Sequence, residues 1–125
     1  MQYVNNGSKT FLCDEAIPQY SRVKLDPDGR VTIAGLADVD VGVAMNPTFA
    51  AGEAVEVRLR NAGGTVPMIA IEAIEVGDIV YSEAAGKVQD TAASTGYAVG
   101  QAMTAAGADG DYLEVCRFVP GEANA

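Results

Sequence analysis

The sequence has no histidine and no tryptophan. Without histidine there is no Ser–His or Cys–His nucleophile pair, the commonest general base is missing, and most zinc and copper sites are excluded. Aromatic residues are also scarce, at 6% of the 125 residues, so the core must come from Val, Ile, Leu, Ala and Met. That composition favours thin layers of β-branched residues over a deep aromatic pocket. Cations are few: 8 Lys and Arg against 17 Asp and Glu leave a net charge of −9. Such a surface repels phosphate backbones and anionic lipid, so neither nucleic acid nor membrane is an expected partner. Lys24, Arg30, Arg58, Arg60 and Lys87 stand beside acids in strand-like or turn-like contexts and read as a mixed, solvated surface.

Only two cysteines are present, Cys13 and Cys116, and their spacing fits neither a zinc motif nor a C-x-x-C redox pair. They read as reduced, buried apolar residues, with one long-loop disulfide as the alternative. No apolar run approaches membrane-spanning length, and residues 1–10 lack the apolar stretch of a signal peptide, so synthesis in the cytoplasm is expected.

The remaining route to chemistry is paired carboxylates. Asp26-Pro27-Asp28-Gly29 opens like a calcium loop, but the places that should supply a further oxygen ligand and a bidentate Glu hold Arg30 and Ala37. Pro fixes φ and Gly accepts positive φ, so the segment is predicted to be a hairpin turn. Asp38 and Asp40 alternate with Val39, Val41 and Val43, which predicts a strand with both carboxylates facing solvent. Glycines occur singly at turns rather than grouped in a phosphate-binding loop. No catalytic residue, cofactor site or metal site is expected.

What the chain does contain is self-similarity. Ala16-Ile17, Val23 and Gly29-Arg30-Val31 are followed, 57 residues later in each case, by Ala73-Ile74, Val80 and Gly86-Lys87-Val88. Gly42-Val43-Ala44-Met45 matches Gly100-Gln101-Ala102-Met103 at 58, and Val57 matches Val115 at the same interval. One inserted residue accounts for the step. Ala50-Ala51-Gly52 and Ala105-Ala106-Gly107 stand 55 apart, which predicts loops of different length after the Ala-Met step. Each unit reads as short alternating strands separated by glycine turns, with Val55, Val57 and Leu59 on one face and Glu56, Arg58 and Arg60 on the other.

The expected fold is all-β with minor helix: a small β-barrel or sandwich built from two duplicated β units, approximately residues 16–59 and 73–117, whose apolar faces close on each other. The units form one domain over residues 11–119. An extended N-terminal arm (residues 1–10) precedes it and a loose tail (residues 120–125) follows. Asn46-Pro47-Thr48-Phe49-Ala50-Ala51 is predicted to form one helical turn, with Asn46 as cap and Pro47 in first position.

The steps Ala16-Ile17, Gly42-Val43-Ala44, Ala51-Gly52-Glu53-Ala54-Val55-Glu56-Val57, Ala73-Ile74-Glu75-Val76-Gly77-Asp78, Gly86-Lys87-Val88 and Gly100-Gln101-Ala102, in this order, resemble the capsid-decoration, or head-cement, proteins of tailed bacteriophages. The resemblance spans residues 7–118. It implies a β-rich structural protein without catalytic residues, usually a homotrimer, that sits on the exterior of the virion capsid after assembly in the host cytoplasm. There it would clamp neighbouring major-capsid subunits. Family members often use an N-terminal arm for that contact. In this sequence Tyr3 and Val4 alternate with polar neighbours as an added strand would, and Asn5, Asn6 and Gly7 would act as the hinge to the domain, so Tyr3, Val4, Asn5 and Asn6 are the candidate capsid contacts. A non-viral β-rich interaction module is the first alternative. A biotinyl- or lipoyl-type carrier domain is another, but Lys87 within Ala85-Gly86-Lys87-Val88 lacks the flanks of a modified lysine. A carbohydrate-binding sandwich would need more exposed aromatic rings than this chain offers.

Overall fold

A computed structural model describes residues 7–117. The candidate contacts Tyr3, Val4, Asn5 and Asn6, and the tail at 120–125, lie outside these residues. Five strands, β1 (Ser8–Leu12), β2 (Arg22–Leu25), β3 (Val31–Ile33), β4 (Gly42–Ala44) and β5 (Ala54–Leu59), form one antiparallel sheet in the order β1-β5-β4-β2-β3. Five more, β6 (Thr65–Ile69), β7 (Ile79–Ser82), β8 (Val88–Gln89), β9 (Ala98–Ala102) and β10 (Tyr112–Cys116), form a second in the order β6-β10-β9-β7-β8. The two orders are the same path taken twice.

Register repeats as well as order. Leu12 faces Ala54 and Ala44 faces Val57 in the first sheet; Ile69 faces Tyr112 and Ala102 faces Val115 in the second. The repeat therefore includes β1 and β6, which precede the blocks recognised in the sequence. Strand alternation is as read: Val55 and Val57 are buried between exposed Ala54 and Glu56, and Leu113 and Val115 between exposed Tyr112 and Glu114. Fully burying each such side chain stabilises the fold by about 1.5–3 kcal/mol.

Neither sheet closes into a barrel, and the architecture is sandwich-like. Each sheet curls until its edges meet through one isolated parallel bridge, Cys13 with Val31 and Ala70 with Val88, without a continuous ladder. Curling lets each sheet enclose its own interior. One apolar cluster holds Cys13, Ile17, Val23, Val31, Val55 and Val57; the other is built from Met68, Ile74, Val80, Val88, Leu113 and Val115. Two cores thus stand where one shared core was expected, with Val43, Tyr20 and Met45 of the first unit reaching into the second core.

The Gly of the Gly-x-Ala-Met step is required by close approach of strands. A Cβ on Gly42 would lie 2.2 Å from the Arg58 carbonyl oxygen, and one on Gly100 would lie 2.3 Å from that of Cys116. Only a residue without a side chain fits there.

Four expectations are corrected. Residues 46–51 form no helix: Thr48 makes an extended bridge with Ile17, and Asn46 ties the loop to β5 by accepting from the Glu56 N–H and donating to the Ala54 carbonyl. The helical piece is instead a 3-10 turn at Ala84–Gly86. The loops after the Ala-Met steps do not differ in length, because the Ile17–Thr48 and Ile74–Ala106 bridges keep the 58 interval (106 less 48). Asp38 and Asp40 are not on a strand, and Asp40 is buried, because two arginines converge on it. Finally, Ser8, Lys9 and Thr10 belong to β1, paired with Arg58, Val57 and Glu56, rather than to an arm. Both cysteines are free; Cys13 is buried in the first unit with its thiol against the Ala50 carbonyl, and Cys116 is half-buried in the second.

Candidate functional site

The two units meet through equivalent hairpins used differently. The β2–β3 hairpin turns at Asp26-Pro27-Asp28-Gly29 as predicted, closed by the Asp26 N–H to the Arg30 carbonyl and with Gly29 at φ +86°. Its counterpart between β7 and β8 carries Ala84, Ala85 and Gly86. That tip docks on the first unit: the Gly86 N–H donates to the Ala34 carbonyl at 2.9 Å, and a Cβ on Gly86 would meet the Ser21 Cβ at 2.9 Å.

Arg22 secures the docked tip. Its side chain is fully buried and donates to the carbonyls of Glu83 (2.7 Å), Lys87 (3.1 Å) and Gly35 (3.4 Å), so one guanidinium satisfies backbone of both units. Burial lowers the Arg22 pKa and the Asp40 carboxylate raises it again. Asp40 also receives a bidentate pair from Arg117, at 2.8 and 3.1 Å, and the Arg117 Nε donates to the Val99 carbonyl. One buried carboxylate is thus shared by two guanidinium groups, one from each unit. Ser82 completes the seam, donating to the Leu36 carbonyl and accepting from the Tyr97 N–H.

Above this cluster lies an open groove of about 530 Å³. Val39 and Tyr97, equivalent residues of the two units, line it together with Arg60, Asn61, Val99 and Arg117. Val39 and Tyr97 are nearly half exposed. The described chain begins close by, where the Gly7 carbonyl accepts from the Leu59 N–H next to Arg60. A groove with apolar walls, arginines and a preformed backbone suits the binding of another polypeptide. It presents no nucleophile–base pair.

The model of the family described as phage cement protein matches residues 14–117. This chain belongs to the phage cement proteins. No curated protein matches it. Among solved structures, the N base of head fiber gp8.5 from bacteriophage phi29 is similar in fold, with a TM-score of 0.72, 18% identity, and coverage of 89% of this chain and 92% of that one.

Of the residues that build the seam of this cement protein, sequence reasoning named only Asp40, as a solvent-facing carboxylate, and neither Arg22 nor Arg117. Arg22, Asp40 and Arg117 stand where the other unit has Ile79, Ala98 and Leu59. A charged residue opposite an apolar counterpart, three times over, was the available signal. Of the cations read as solvated, Lys24 pairs with Asp38 (3.3 Å), Arg30 with Asp14 (3.7 Å) and Lys87 with Asp109 (2.7 Å).

Asp26 and Asp28 are joined by Asp14, the three carboxylates lying within 4.8 Å of one another. These are the described residues that could hold a cation. The hydrogen bond to Asp26, followed by burial and the charges of Asp28 and Asp26, raises the Asp14 pKa, and Arg30 pulls it partly back. Glu72 is likewise raised, chiefly by its side-chain hydrogen bond to Asp90.

Proposed function

We propose that this protein is a structural component of a phage particle that binds the outside of the capsid and clamps neighbouring major-capsid subunits. Membership of the cement family carries the reading. The physical features accord with it. The net charge of −9 favours solubility of an unattached copy, and many weak contacts repeated over a lattice give strong attachment. No helix among the described residues is long and apolar enough to cross a membrane.

The active form we propose is a homotrimer on the capsid, as in related decoration proteins. Residues Tyr3, Val4, Asn5 and Asn6 remain the proposed arm contact; Gly7, the first described residue, accepts from Leu59, the neighbour in sequence of the groove residue Arg60. Neither the carrier nor the carbohydrate reading gains support: Lys87 is paired with Asp109 beside a docked turn rather than free at a hairpin tip.

The test is to add purified protein to expanded heads that lack it, then follow co-sedimentation, heat resistance and cryo-EM density. Trimeric external density bridging adjacent capsid subunits, with heads that resist heating better, is expected. Absence of association, or a stable dimer with two-fold density on the head, would refute the corresponding part.

A further inference from the structure

We propose that the groove between the two units receives an extended segment of a capsid subunit that presents a carboxylate to Arg60, with apolar neighbours against Val39 and Tyr97. This rests on the capsid-binding reading and specifies its contact.

Charge bookkeeping selects Arg60. Among the eight basic residues, Arg22 and Arg117 share Asp40, Lys24 pairs with Asp38, Arg30 with Asp14, and Lys87 with Asp109. Lys9 lies over the Phe11 ring at 5.9 Å, and Arg58 donates to the Gly63 carbonyl. The Arg60 guanidinium alone has no ion-pair, hydrogen-bond or ring contact among the described residues, on a chain where acids outnumber bases two to one. It is exposed and forms part of the groove wall.

The groove's own acid cannot serve Arg60. Both Asp40 oxygens already accept from Arg117, and Arg22 lies 3.8 Å away on the same carboxylate. Arg60 and Arg117 thus line the groove with Asp40 as the one acid among its lining residues, and that acid is already shared with Arg22, a local excess of positive charge on a molecule of net charge −9. A carboxylate entering from outside offsets it, and a bidentate Arg–carboxylate contact is among the stronger polar contacts available.

The walls define the remainder of the ligand. Val39 and Tyr97 expose 47% and 44% of their surfaces, and the Tyr97 backbone is held by its N–H to the Ser82 Oγ at 2.9 Å. The Asn61 side-chain amide makes no hydrogen bond among the described residues, so it can serve the backbone of an extended segment. A second copy of this chain in the groove is the competing occupant that the crosslinking below detects. The proposed occupant is therefore an acidic–apolar segment of the capsid subunit.

The experiment compares wild type, Arg60→Gln, Arg60→Glu and Lys24→Gln for binding to heads lacking the protein, across a salt series. Arg60→Gln should weaken occupancy about tenfold and flatten the salt dependence, Arg60→Glu should do more, and Lys24→Gln should stay within about twofold. Melting temperatures should be unchanged, since Arg60 supports nothing inside. In parallel, a photo-crosslinking amino acid at position 97 should capture a capsid peptide containing Asp or Glu. Wild-type binding with Arg60→Glu undiminished overturns the groove proposal while leaving the capsid reading intact. Crosslinks to a second copy, or to residues 118–125 of the same chain, also overturn it. Failure of the wild type to bind heads at all would instead remove the capsid reading on which the proposal stands.

Discussion

The first unit leaves its hairpin tip in solvent, whereas the second sets Gly86 of the equivalent tip against its neighbour. Gly29 has no atom near its would-be Cβ, while Gly86 is packed on Ser21 and Arg22. The tips share a turn but not a chemistry: Asp26, Pro27 and Asp28 stand where the other unit has Glu83, Ala84 and Ala85. Small residues allow the backbone to approach and offer its carbonyls to Arg22; an acidic tip with a proline cannot be buried without partners. The receiving surfaces have diverged in step, Ser21-Arg22 in one unit and Asp78-Ile79 in the other. Tyr20 extends the contrast. It holds φ at +71°, where its counterpart Gly77 is at +93°, and its ring meets the Tyr112 ring edge-on at 5.1 Å. A bulky residue in a left-handed conformation costs about 1–3 kcal/mol and survives only where surrounding contacts hold it. Duplication supplied two equal folds, and a few substitutions at the seam made them into one asymmetric molecule.

The largest expected effect tests that asymmetry. Asp40→Ala leaves Arg22 and Arg117 buried without their shared anion and should cost about 3–5 kcal/mol in denaturant unfolding, as expected when one partner of a buried ion cluster is lost. A loss below about 1 kcal/mol would mean the seam is held by other contacts.

Next come the glycines that the units share. Gly42→Ala and Gly100→Ala each drive a methyl against a backbone carbonyl, and each should cost about 1–3 kcal/mol or more. Similar losses would show that close approach of strands is a property of the repeated sheet. Unequal losses would mean that one sheet relaxes and the other does not.

A smaller effect is expected at the sheet edges. Pro67 in β6 occupies the position of Thr10 in β1. The bonds from Cys13 N–H to the Glu53 carbonyl and from Ala70 N–H to the Asp111 carbonyl set the alternation, so Thr10 directs its N–H away from β5. Thr10→Pro should therefore lower stability by less than about 1 kcal/mol, since no ladder bond is lost. If stability holds but head binding falls, the β1 edge is itself a contact, one that the second unit blocks with proline.

The smallest effect is pH-dependent. Asp14 and Glu72 have pKa values raised on folding, so they bind protons more readily in the folded state. Stability should rise slightly as pH falls from neutral through their raised values. Asp38 has the opposite sign: its carboxylate is held low chiefly by the Gly35 N–H, and its contribution is lost only as pH falls further, through that lowered value. Asp14→Asn should reduce the early gain in a thermal-melt series. A melting temperature that falls steadily from neutral pH downward would contradict this assignment.

Local rules made much of the fold legible. Alternating Val55–Val57 and Leu113–Val115 announced half-buried strands, Asp26-Pro27-Asp28-Gly29 announced a turn, and near-constant intervals announced two units. The same rules misread Asn46-Pro47, whose helix-start signals were overridden when the Asn46 side chain bonded to β5 and Thr48 bridged Ile17. Within the candidate site, Arg60 was visible only as one more surface cation.

The sequence by itself determined that the protein is all-β, duplicated, acidic and without histidine chemistry, because periodicity, turn residues and composition act over short range or over the whole chain. Tertiary structure alone decided which charges are buried. Asp40 looked like the solvent face of a strand, and its role depends on Arg117, 77 residues away, arriving at 2.8 Å. It likewise decided that two sheets keep separate cores and leave a groove between them. Such facts depend on which residues meet across distant segments, and neither strand alternation nor turn chemistry encodes that.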